Sequence, residues 1–66
     1  MPEQHPGVVA LLSYFKYDHL PPHLQGVSRP MCEVAHDMAG RLSGPELTAG
    51  LRKLLEAQDC FVRAAI

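Results

Sequence analysis

The residues best suited to chemistry gather in one stretch of the chain: Phe15, Lys16, Tyr17, His19, His23, Gln25, Ser28 and Arg29. Aromatic and imidazole rings offer stacking faces to a nucleobase. The Arg29 guanidinium offers a planar fork that matches a phosphate. Ser28, beside a helix expected to begin at Pro30, would add a hydroxyl and free backbone N–H groups to an anion site favoured by the helix dipole. Such a composition suits a nucleotide pocket. The same residues also fit a plainer arrangement, in which Phe15 and Tyr17 pin the loop to the helices and Arg29 is solvated.

Other chemistries find less support. His19 and His23 are four residues apart, with Asp18 and His36 as further donors, but Pro21 and Pro22 fall between them. Two imidazoles at that spacing share a metal only when the intervening chain is helical, so polar loop histidines are expected and no metal or cofactor. Serines stand at 13, 28 and 43, yet there is no nucleophile elbow, glycine-rich phosphate loop or paired-acid motif. A chain of 66 residues also has little room to close a water-excluding pocket. A non-enzymatic role is expected.

Composition narrows the partners. The formal net charge is -1, and the basic residues Lys16, Arg29, Arg41, Arg52, Lys53 and Arg63 are dispersed. Tracking the backbone of a nucleic-acid polymer normally needs a clustered basic face, whereas a small anion needs two or three side chains. Small anionic ligands are therefore expected and nucleic-acid polymers are not. Cys32 and Cys60 form no CxxC pair and read as small apolar or interface residues. The start, Met1-Pro2-Glu3-Gln4-His5-Pro6, has neither a basic leader nor a long apolar run, so no membrane partner and a cytoplasmic location are expected.

The elements that must position these residues read as all-α, in a single helical-hairpin domain over 1–66. Val8, Val9, Leu11, Leu12 and Phe15 mark a short N-terminal helix over 7–16. An irregular proline-containing segment over 17–29 follows, with Pro22 starting at most one short turn over 22–26. From Pro30, Met31, Val34, Ala35, Met38, Ala39 and Leu42 recur at steps that keep to one helix face. Ser43 and Glu46 have capping-box spacing, and a last helix from about Gly44 carries Leu47, Leu51, Leu54, Leu55, Phe61, Val62 and Ala65. The short join predicts an antiparallel hairpin of these two helices. Arg52–Glu56 and Asp59–Arg63 are expected to pair at i,i+4. Gly50, inside the last helix, suggests close approach of another backbone. So small a chain, 47% hydrophobic, is expected to complete its core by self-association.

The run Phe15-Lys16-Tyr17-Asp18-His19-Leu20-Pro21, with Leu51-Arg52-Lys53-Leu54-Leu55-Glu56-Ala57 and Ala64-Ala65-Ile66, resembles the small helical-hairpin family of phage anti-CBASS nucleotide sponges. A related hairpin occurs in anti-Thoeris sponges. The resemblance covers residues 15–66. It implies sequestration, without cleavage, of cyclic dinucleotides, and of cyclic trinucleotides, made by bacterial immune cyclases in the host cytoplasm. It also implies compact homo-oligomers, hexamers in the best-known cases, with pockets between protomers. By position, Tyr17 matches the family tyrosine that stacks on a base. The ungapped match sets Cys32 or His36 near the basic phosphate ligands, whereas Arg29, beside Ser28, lies a few residues earlier. The family's trinucleotide site uses the end of the last helix, and this chain ends at Ile66. The expected ligand-binding set is Tyr17, His19, Ser28, Arg29 and Phe15. The competing expectation is a helical protein–protein interaction module with no small-molecule ligand.

Overall fold

The computed structural model describes residues 5–66, which hold three α-helices and no strand. The expectation of no leader, read from residues 1–6, falls mostly outside them. Helix α1 spans Pro6–Ser13. Pro6 occupies its first position, where a missing N–H costs nothing, and the N-cap His5 accepts through Nδ1 from the Gly7 N–H at 3.0 Å. Val8 and Leu12, one turn apart, are its buried face. The chain turns at Tyr14, and Phe15 just beyond is completely enclosed.

Helix α2 spans Pro22–Arg41 and continues unbroken past Pro30. This corrects the expectation of an irregular segment to residue 29 and a helix beginning at Pro30. Pro22 sits at the start of the helix, where its fixed φ suits the geometry, so the double proline opens a helix and does not break one. Pro30 removes one interior N–H, whose usual acceptor would be the carbonyl of Gly26. The buried residues Leu24, Ser28, Ala35 and Ala39 form a stripe that continues past it and holds the helix to the core.

Residues 42–44 connect to α3, Pro45–Ala65. Gly44 is the N-cap with φ 93°, a left-handed conformation that glycine adopts without a Cβ penalty. Its carbonyl accepts from Leu47 and Thr48. The predicted capping box is therefore not formed. Ser43 stands one residue outside the cap, and no side chain caps this helix.

All three helices share one core: Val8, Leu12 and Phe15 against Ala35 and Ala39 of α2 and Leu47 and Leu51 of α3. Met31, Cys32, Met38, Leu54 and Leu55 pack around it half-buried. Val34, Leu42 and Phe61, expected on the apolar faces, are largely exposed, as are Val9, Tyr14 and Ile66. A Cβ built on Gly50 meets nothing within 4 Å, so among the described residues no neighbouring backbone explains that glycine. Among the described residues the ion pairs are Arg29–Glu33 and Arg41–Asp37, both exposed, and not the two expected on α3. No described helix is long and apolar enough to cross a membrane.

Candidate functional site

Two concave regions stand out. The larger, about 920 Å³, lies around the α2–α3 connection and is mostly apolar, with Val8, Ala39, Leu42 and Leu47 in its wall and His5, Arg41 and Arg52 at its border. The smaller, about 290 Å³, is polar and lies between the α1–α2 turn, α2 and the C-terminal half of α3. Its lining comprises Tyr14, Lys16, His19 and Leu20 from the turn, Ser28 from α2, and Gln58, Asp59, Val62 and Arg63 from α3.

Local folding explains how these groups meet. The Leu20 N–H donates to the Tyr17 carbonyl at 3.0 Å, closing the turn. Gln25 Nε2 donates to the Leu20 carbonyl at 2.7 Å, and more distantly to that of Asp18 at 3.4 Å, tying the turn to the first turns of α2. With Phe15 locked in the core beneath it, the segment carries Lys16 and His19 to the edge of α3. From α3, Gln58 donates through Nε2 to the Tyr14 carbonyl at 3.3 Å. The C-terminal half of that helix is thereby fastened to the end of α1.

The five residues expected to bind ligand divide sharply. His19 and Ser28 line the polar crevice. Tyr17 is half-buried and does not line it. Phe15 is 0% exposed and packs as a core residue, so it has no ring face to offer. Arg29 points outward and pairs with Glu33 at 3.5 Å. Consecutive helical residues are rotated by about 100°, so once α2 continues through this segment, burying Ser28 turns Arg29 to solvent. The continuous helix also engages the backbone N–H groups expected to be free at Pro30. The anion site inferred from a helix start there is withdrawn.

Sequence reasoning missed Tyr14, Gln58 and Arg63. A signal for Gln58 was present, because it falls on the stripe Leu47, Leu51, Leu55 and Val62, where a polar residue is out of character. Arg63, expected to pair with Asp59, donates from Nη2 towards Cys60 Sγ at 3.4 Å. Both cysteines are free. Burial, with smaller contributions from Glu33 and Asp18, pushes the Cys32 thiol above its ordinary pKa. Among the described residues no three of His, Cys, Asp and Glu cluster as metal ligands would. No protein-family model, curated protein or solved structure matches this chain.

Proposed function

We propose that this protein is a non-enzymatic binder that sequesters cyclic oligonucleotide immune messengers, cyclic dinucleotides above all, and so blunts bacterial anti-phage signalling. The observation that carries the reading is the polar crevice, where the cationic side chains of Lys16 and Arg63, outnumbering the one carboxylate of Asp59, share a lining with the rings of Tyr14 and His19. Cations hold phosphodiester oxygens and rings hold bases, the two features common to every member of that ligand class. Binding without turnover is favoured by Ser28. Its Oγ makes no hydrogen bond, so the contact with His19 that would activate it as a nucleophile is not made. The resemblance around Phe15–Pro21 adds its weight to the same ligand class.

In this reading α2 and α3 form an antiparallel hairpin, and several copies, six by family likeness, assemble in the cytoplasm of an infected bacterium. Val34, Leu42 and Phe61, all large and exposed, supply apolar surface for that assembly. The same residues favour a second reading, a helical interaction module that docks on another protein and needs no ligand. Saturable capture of a partner that survives both Lys16→Ala and Arg63→Ala, with no bound nucleotide, would support it.

Sequestration is tested by mixing the protein with a panel of cyclic di- and trinucleotides, filtering, and heating the retained protein. The expected result is depletion of at least one compound from the filtrate and its recovery, chemically unchanged, after heating. No depletion, or recovery of a cleaved product, overturns the proposal.

A further inference from the structure

Two residues of the polar crevice carry buried oxygens that lack a partner: Oγ of Ser28, a residue 1% exposed, and Oε1 of Gln58, a residue 6% exposed. Buried polar atoms are almost always hydrogen-bonded, and two exceptions lining one crevice call for a common explanation. The orientation of the Gln58 amide is not arbitrary. The Tyr14 carbonyl can only accept, so Nε2 must face it, and the atom left without a partner is an acceptor. Whatever satisfies Gln58 must therefore bring an N–H or O–H. Ser28 can donate or accept. The same lining holds the exposed cations Lys16 and Arg63 and one carboxylate, Asp59; neither cation is among the ion pairs of the described residues, so the lining carries a net positive charge.

A donor for the buried oxygens and an anion for the cations together describe a nucleotide, whose base and ribose carry N–H and O–H groups and whose phosphate carries the charge. Size then restricts the choice. At about 290 Å³ the crevice is at the lower limit of small-molecule sites, which span roughly 300–1,000 Å³. That volume suits one nucleotide unit, and the two or three units of a cyclic oligonucleotide would extend beyond it. We propose that a single chain seats one nucleotide unit here, with a base or ribose donor on Gln58 Oε1 and Ser28 Oγ and the phosphate between Lys16 and Arg63. The remaining units of a cyclic ligand lie outside the crevice. This assignment rests on the nucleotide reading given above, but it locates recognition within one protomer and not in a pocket between protomers.

Three glutamines and no asparagine occur in the chain, so its NMR spectrum has three side-chain amide pairs, of Gln4, Gln25 and Gln58. Titration of labelled full-length protein with adenosine and guanosine 5′-monophosphates and with cyclic dinucleotides is expected to shift the Gln58 pair. The other two serve as references. Ser28→Ala and the surface substitution Arg63→Ala are each expected to weaken binding tenfold or more. If a cyclic dinucleotide binds while the Gln58 pair is unmoved and both variants retain wild-type affinity, the crevice assignment fails and sequestration stands. If a monophosphate shifts Gln58 but no cyclic compound binds, the crevice stands and sequestration fails. Binding of no nucleotide at all, with an ordered water bridging Ser28 and Gln58, overturns both.

Discussion

Gln58 and Tyr14, 44 residues apart, are joined by a hydrogen bond of 3.3 Å from the side-chain amide of one to the backbone carbonyl of the other. That bond joins two residues of the polar crevice and leaves Gln58 Oε1 buried and without a partner. The buried polar residues around it, useful to a ligand, are a cost to the fold that precedes binding.

Ser28→Ala is therefore expected to stabilise the unliganded protein. Leaving a buried hydroxyl unsatisfied costs about 1–3 kcal/mol, and alanine is the better helix former. A rise in urea-unfolding stability of about 1 kcal/mol, alongside weaker nucleotide binding, is predicted. Loss of stability would mean that Ser28 has a structural partner.

Phe15 separates a core role from a ligand role. Because its ring is completely enclosed, Phe15→Ala is expected to cost about 3–5 kcal/mol, enough to unfold much of so small a chain. Circular dichroism melting measures this. A well-folded Phe15→Ala protein that has lost only ligand affinity would return Phe15 to the binding set.

Much of the fold was legible in the sequence, and where it was not, proline accounts for the difference. The three- and four-residue spacing of Leu47, Leu51 and Leu54 located α3, and Val8 and Leu12 located α1. The Pro21-Pro22 pair reads as a breaker when taken alone. Whether such a pair ends one helix or opens the next depends on whether the residues beyond it find a core, and Leu24 and Ser28 do. That single difference also moved the candidate site. With α2 beginning at Pro22, neighbouring residues Ser28 and Arg29 face opposite environments, and the basic partners of the crevice become Lys16 and the distant Arg63. Their proximity depends on tertiary packing, which spacing along the chain does not encode.

Pro30 should be replaceable with profit. An interior proline costs a helix about 3 kcal/mol, offset in part by about 0.4–1 kcal/mol because it restricts the unfolded chain. Pro30→Ala is predicted to stabilise the protein by about 2 kcal/mol, read from the denaturation midpoint. A neutral or destabilising result would show that the proline ring or the missing N–H at this position has a purpose.

Gly50 lies in an exposed helical position with open space where a Cβ would stand. Gly50→Ala is expected to add about 0.5–1 kcal/mol through helix propensity alone. Equilibrium unfolding at two protein concentrations checks it. A destabilisation that grows on dilution would instead place the backbone of another copy against Gly50.

The two thiols should react at different rates. Cys60 is exposed, whereas burial raises the Cys32 pKa and lowers its thiolate fraction near pH 8. Mass spectrometry of a timed alkylation should find Cys60 modified first and Cys32 accelerating as pH rises further. Equal rates would contradict the packing around Cys32.

Calorimetric titration of the full chain with cyclic di- and trinucleotides, wild type beside Arg63→Ala, bears most directly on the whole account. Saturable heat with at least one compound at micromolar protein is expected, with affinity at least tenfold lower in the variant. Absence of heat from every compound would contradict it.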